Sequence, residues 1–237
     1  MQVATDWILT PHRAAIHVPT ATAVVADLHL GYGAVRQASG EAIPSRGIED
    51  TIADLEKLFT ESGVSRLVIA GDLLEKSRVS TQATDLLRWL QTRGIELVGV
   101  IPGNHDLNAL QPLLGERLVP DGLRLGEWHV VHGHERLPMG KVIYGHHHPS
   151  LAFGRQVKAP CYVVGGRSII LPAHSRNASG ANILARQTWH RWCCYVIAGD
   201  KVLDFGVIGV LGRRLSGIAT KDGHTQPPPS RRPMPRR

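Results

Sequence analysis

The sequence is poor in several things, and each shortage excludes a class of protein. Cysteine occurs three times in 237 residues, as Cys161 and the adjacent pair Cys193 and Cys194. That pattern cannot build the even, spaced framework of a secreted disulfide scaffold, and a reducing cytoplasm is the expected setting. Aromatic residues make up only 5%, too few for an extended platform on which single-stranded bases stack. No run approaches the ~20 apolar residues that cross a bilayer, no amphipathic insertion segment stands out, and Met1 to Pro11 holds Asp6 but no basic region before an apolar core. The chain is expected to be neither exported nor attached to a membrane.

An excess of one charge is also missing from most of the chain. The formal net charge is +7, but residues 213–237 carry seven bases (Arg213, Arg214, Lys221, Arg231, Arg232, Arg236, Arg237) against one acid, Asp222, leaving only +1 for residues 1–212. With 43% hydrophobic and 20% charged residues, the near-neutral body has an ordinary globular composition and is long enough for one large domain. The expected division is a single domain over 1–212 and a basic, proline-rich, disordered tail over 213–237, since helical or strand periodicity stops at Gly212 and Gln226 to Arg237 holds five prolines and four arginines.

Valine- and isoleucine-rich runs at Thr22 to Ala26, Arg66 to Ala70, Ile95 to Ile101 and Trp128 to Val131 read as buried strands. Between the first three lie helical periods, Ile48, Ile52, Leu55, Phe59 and then Ala83, Leu86, Leu87, Leu90. This β-α-β-α-β order predicts a sheet with helices packed on it and ligands beyond the carboxyl ends of its strands. After about residue 115 short strands without long helices predict a second, more antiparallel sheet.

Asp, His and Asn gather just past these strands five times. The first strand runs into Asp27-Leu28-His29, whose outer residues share a side if the backbone is extended. The second ends in Gly71-Asp72, which taken alone is an ordinary turn aspartate. The third ends in Pro102-Gly103-Asn104-His105-Asp106, placing an amide oxygen, a titratable imidazole and a carboxylate in three consecutive positions. His132-Gly133-His134 follows the fourth. Gly145-His146-His147-His148 comes last, with His146 and His148 on one side and His147 on the other; alone, such a loop can be a weak surface metal trap.

In order, Asp-x-His, Gly-Asp, Gly-Asn-His-Asp, His-Gly-His and Gly-His-x-His resemble the motif series of the calcineurin-like metallophosphoesterases over residues 22 to about 175. More narrowly, Ala26 to Tyr32, Gly71-Asp72-Leu73-Leu74 and Leu171-Pro172-Ala173 resemble the bacterial DNA-ligase-associated branch, in which an aromatic commonly follows Leu-Pro-Ala where this chain has His174. The resemblance implies a four-layer α/β/β/α sandwich of two mixed sheets flanked by helices. It implies two divalent ions, one on Asp27, His29 and His148, the other on Asn104, His132 and His146, with Asp72 bridging. Imidazole, carboxylate and amide oxygen without thiolate suit manganese, iron or zinc rather than calcium; the ligase-associated relatives favour manganese.

The reaction so implied is in-line hydrolysis of a phosphodiester by a metal-bound hydroxide, with His105 facing the phosphate and Asp106 holding its ring. Histidine ligands must be neutral, so metal affinity is expected to weaken as pH falls towards ~6.5. Arg36, Arg78 and Arg167 are candidates to grip phosphate oxygens, or solvated surface arginines. His134 is a loop cap or a substrate contact, and His174 lies in the same pocket. The substrate implied by the resemblance is DNA under repair, acted on alongside an ATP-dependent DNA ligase and a helicase; a small soluble phosphate ester is the alternative, and a non-catalytic binding module a remote one. The arginine tail either adds affinity for DNA by counterion release or only solubilises the chain.

Overall fold

The computed structural model describes residues 1–43, 47–76, 81–106, 110–153, 157–178 and 180–221. Strands β1 (Gln2–Ala4), β2 (Trp7–Leu9) and β3 (Ala15–His17) lead to β4 (Thr22–Val25). Helices α1 (Tyr32–Ala38) and α2 (Glu49–Ser62) precede β5 (Arg66–Ala70), and α3 (Thr81–Thr92) leads into β6 (Glu96–Ile101). These six strands form the first sheet in sequence order, antiparallel from β1 to β4 and parallel from β4 to β6. The strands β1 to β3 do not show in the sequence because three residues are too few to display an alternation.

The chain then passes through the short helix α4 (Gln111–Leu114) to β7 (Leu123–Leu125), β8 (Trp128–Val131), β9 (Lys141–Tyr144), β10 (Pro149–Phe153), β11 (Val157–Gly165), β12 (Ser168–Ile170) and β13 (Ala181–Asn182). Strands β14 (Cys193–Ala198) and β15 (Lys201–Val207) and helix α5 (Ile208–Lys221) complete it. The second sheet is ordered β13-β10-β11-β12-β9-β8-β7, with β14 pairing β11 and β15 pairing β14. It is mixed, since β8, β9 and β12 run parallel while β10, β11, β14 and β15 are joined antiparallel.

The layering follows from the period of two along each strand. On β4 and β5, Ala23, Val25, Leu67 and Ile69 face Leu55 and Leu58 of α2 and Leu86 and Leu90 of α3. Their neighbours Val24, Val68 and Ala70 point the other way, against Val130, Ile143, Tyr162 and Ile169 of the second sheet. That sheet's outer face, with Val142, Cys161, Val163 and Val196, is covered by Ile208 and Leu211 of α5. Three apolar seams therefore separate four layers, α/β/β/α. Cys161 and Cys194 are buried in the outer seam and all three cysteines are free, as packing residues should be.

The chain's last part departs from the sequence reading. Helix α5 runs through Gly212 and on to Lys221, so the boundary expected at residue 213 falls inside a helix. Ile208, Leu211 and Leu215 lie at helical spacing and pack on the outer seam, and this tertiary contact carries a segment whose Gly212 and Gly217 conceal its period. Gln226 to Arg237 lies outside the described residues.

Candidate metal centre

Because β4, β5 and β6 are parallel, as are β8, β9 and β12, their carboxyl ends open onto one region. Backbone bonds tie these ends together: Asp27 N–H to the Gly71 carbonyl (3.0 Å), His29 N–H to that of Asp72 (2.9 Å) and Gly145 N–H to that of His132 (3.1 Å). His174 N–H and Ser175 N–H reach across the sheets to the carbonyls of Ala26 (2.7 Å) and Asp27 (3.1 Å).

Two groups of side chains meet here with ligand atoms within 4.8 Å of one another: Asp27, His29 and His148, and Asp72, His132 and His146. Asn104 Oδ1 joins the second group, 3.3 Å from His132 Nε2, which is also 3.4 Å from Asp72 Oδ2. In the first, His148 Nε2 lies 3.4 Å from both His29 Nε2 and Asp27 Oδ1. Donor atoms ~2.1 Å from a shared ion in a tetrahedral arrangement sit ~3.4 Å apart, which is the spacing of these nitrogen and oxygen atoms. The residues present thus fit a pair of divalent ions held by imidazole and oxygen donors.

Five of these candidate ligands share a backbone feature. Asp27, His29, Asp72, His146 and His148 have φ of 59°, 48°, 44°, 64° and 44°, and among the described residues only Arg13 and Ala21 join them as non-glycine positions with positive φ. Asp27 and His29 therefore converge through left-handed turns, not through the shared side of an extended strand. His146 and His148 likewise go to different clusters, while His147 turns away to Trp189 (centroids 5.5 Å apart). Two glycines make room: a Cβ on Gly71 would strike the His132 ring, and one on Gly103 would strike the Asp72 carboxylate.

Electrostatics suit a cation-binding role. Burial would raise the Asp72 carboxyl, but the His132 side chain and the His105 N–H (2.9 Å) outweigh it and bring it down to about 2. Burial, with His132 and His147, pushes His146 down to about 4, which keeps it a neutral donor. For His132 burial is overcome by Asp72 and Asp27, and its pKa rises.

His105 lies half-buried beside the first cluster, its ring 5.2 Å from that of His29. Its orientation corrects the sequence reading. Asp106 does not hold the ring: its buried carboxylate accepts the backbone N–H groups of Gly103 (2.8 Å), Leu74 (2.8 Å) and Leu73 (3.2 Å), locking two ligand loops together. His105 Nδ1 instead bonds to the Glu75 carbonyl at 2.7 Å. The Glu75 carboxylate lies 2.9 Å from His29 Nδ1, and Glu75, His29 and His105 form a third group of potential ligands. Sequence reasoning missed Glu75, although it stands immediately after Gly-Asp-Leu-Leu.

The other expected contacts divide. His134 is at the rim, its ring 5.1 Å from that of His132, and with Asn104, His132 and Arg136 it lines a cleft of about 730 Å³. His174 is buried beside His29 in a cavity of about 30 Å³, and neither ring nitrogen has a partner among the described residues. Arg36 is not brought to the centre; it bonds to Glu41 at 2.7 Å and lies over the Tyr32 ring. Arg167 is also excluded, because it sits before β12, whose register with β9 (Ser168 against Val142, Ile170 against Tyr144) puts the turn at the end of the sheet opposite the histidine loop. Arg78 lies outside the described residues.

The family profile of the calcineurin-like phosphoesterases matches residues 21–175. The chain belongs to that family. Among solved structures, the chain is similar to the Pseudomonas putida nuclease MPE, with a TM-score of 0.68 and 24% identity over 84% of this chain and 94% of that one. That likeness shows the fold. The chain is also 37% identical over 87 residues to the DNA double-strand break repair protein Mre11 of Methanopyrus kandleri, spanning 35% of this chain but only 18% of that protein. As a calcineurin-like phosphoesterase it is a hydrolase of phosphoester bonds. No described helix is long and apolar enough to cross a membrane.

Proposed function

We propose that this phosphoesterase is a two-metal phosphodiesterase acting on DNA, of the kind associated with bacterial DNA ligases. The observation that carries this reading is the adjacency of the two donor clusters, Asp27 of the first lying 3.6 Å from His132 of the second, with Asp72 of the second accepting the His105 N–H. Asp27, His29 and His148 would hold one ion, Asn104, His132 and His146 the other, and the Asp72 carboxylate both. Manganese is the metal expected, with zinc or iron as alternatives. Such ions, when bound, activate water and neutralise phosphate oxygens.

The chain's own residues do the rest. The Glu75 carbonyl can only accept, so the His105 ring carries a proton on Nδ1; as the imidazolium, protonated on both nitrogens, His105 would deliver its Nε2 proton to the departing oxygen and be left neutral. The cleft beside Asn104 and His132, lined by Pro102, Leu137 and Pro138 and by the charged Asp121, Glu135 and Arg136, offers an apolar surface to a nucleoside next to the scissile phosphate. Resemblance to the ligase-associated branch supports action beside an ATP-dependent DNA ligase and a helicase in the cytoplasm.

Hydrolysis of bis-para-nitrophenyl phosphate and of the monoester, by metal-stripped protein resupplied with manganese, zinc, iron(II) or magnesium, tests the reading. Diester turnover restored by manganese and abolished by Asp72→Ala is expected. Turnover of the monoester alone would make the protein a phosphatase, and none with any metal would overturn the proposal.

A further inference from the structure

A second cavity, of about 330 Å³, opens on the side of the first cluster, beginning at His148 and Pro149. Among the described residues three cations line it, Arg13, Lys158 and Arg176, and no carboxylate does. The two arginines are fixed in place: Arg13 Nη1 donates to the carbonyls of His174 (3.2 Å) and Ser175 (3.0 Å), and Arg176 forms a two-point pair with Asp54. Lys158 has no ion-pair partner among the described residues. The balance of these four charges is positive by two, in a recess that adjoins a candidate metal ligand.

The floor of the recess is the start of the β10–β11 hairpin, where Ser150 pairs with Pro160 and Ala152 with Lys158. Lys158 therefore stands opposite a residue four positions past His148, ~13 Å along the strand, and its long side chain can reach back only part of that distance. Ser150 lines the same recess, is 4% exposed, and its Oγ is buried without a hydrogen-bond partner among the described residues. A buried hydroxyl left unpaired is uncommon and calls for a ligand or water. The close approach of Gly180, where an added Cβ would meet Ser150 Oγ at 2.9 Å, keeps that hydroxyl in place.

A phosphomonoester or a small diester has one phosphate, and the metal centre takes it. Three further cations and a hydroxyl at this spacing serve a substrate with a second anionic group. Resting on the phosphodiesterase reading above, we infer that this recess is a second phosphate subsite, which holds the neighbouring phosphate of a polynucleotide chain while the scissile one lies at the metals. The substrate is then an oligomer of at least two successive phosphates, gripped by Lys158 and Ser150 in the field of the two fixed arginines.

The experiment is a length series on the manganese-loaded protein: deoxyoligonucleotides bearing one, two, three and six phosphates, with kcat/KM measured for each. In the wild type kcat/KM is expected to climb about tenfold or more once a second phosphate is present, mostly through KM. Lys158→Ala should remove most of that climb and lower the salt dependence of KM by about 0.7 in log–log slope, the value of one phosphate contact on a single strand. Lys158→Arg should restore it, and Ser150→Ala should lose part. Anisotropy of the same oligonucleotides made with uncleavable phosphorothioate links reads binding separately. Turnover without any rise at the second phosphate, or a rise that Lys158→Ala leaves intact, overturns the subsite. Absent turnover with Lys158-dependent and length-dependent binding overturns the hydrolytic reading while the subsite stands.

Discussion

The carbonyl oxygen of Glu75 lies 2.7 Å from His105 Nδ1, while the carboxylate of the same residue lies 2.9 Å from His29 Nδ1. One residue thus touches both a candidate metal ligand, by a charge contact without hydrogen-bond geometry, and the candidate proton donor, by a hydrogen bond. The carbonyl contact is independent of side-chain identity, and the carboxylate contact is not. Glu75→Gln is therefore expected to leave His105 in place and weaken metal binding at the first cluster, by about 10- to 100-fold if Glu75 acts as a usual carboxylate partner of a ligating histidine. Manganese titration calorimetry on the variant checks this; an unchanged affinity would remove Glu75 from the site.

His105→Ala is expected to retain both metals and to lose turnover by about 10²- to 10⁴-fold, the range for a general acid. Metal content by inductively coupled plasma mass spectrometry, measured with the rate, decides the role. Loss of metal would show that the group of His29, Glu75 and His105 binds an ion itself.

Asp106 is expected to matter for stability before chemistry. Its carboxylate is the acceptor for three backbone N–H groups between the Gly71 and Gly103 loops. Asp106→Ala leaves these donors buried and unpaired, at roughly 1–3 kcal/mol for each group not reached by water. Urea unfolding of the metal-free variant should show a loss of at least about 3 kcal/mol; a loss below 1 kcal/mol would mean that the loops do not depend on it.

His174 predicts an acid-sensitive fold. Complete burial, against the pull of Asp54, holds its pKa down to about 4, whereas in the unfolded chain it titrates near 6.5. Between those values the unfolded state binds a proton that the folded state refuses, so stability falls as pH drops from about 6.5 towards 4, by up to ~3 kcal/mol at the lower end. His174→Phe removes this group's share of the loss and leaves that of His146, which is also held down to about 4. Thermal melts of the metal-free proteins at pH 7.5 and pH 5 test it: equal losses in the two would place the acid sensitivity elsewhere.

How far the sequence was legible depended on the kind of constraint. Asp27, Asp72, Asn104 and His132 could be placed because each follows an apolar strand, and strand ends in parallel sheets converge. Arg36 and Arg167 could not, because nothing local to a loop arginine tells which end of a sheet the loop will occupy; that is fixed by the register of β12 on β9. The role of Asp106 was misread since adjacency to His105 suggested a contact that the turn at Gly103 points inward instead. Glu75 meets His29 and His105, dozens of residues away, which no local pattern reports. The helix α5 was hidden for a related reason, its stability coming from the second sheet and not from its own glycine-containing sequence.

The left-handed backbone at Asp27, His29, Asp72, His146 and His148 sets the fold and the reaction against each other. A non-glycine residue in that region gives up roughly 1–2 kcal/mol, so five together are a sizeable fraction of what a domain has to spare. Glycine at position 27 or 72 would relax the turn and abolish the donor, giving a sturdier protein with no centre. A descendant released from selection for hydrolysis should therefore drift first at these five turns, while one still under selection must keep its scaffold strong enough elsewhere to hold them bent.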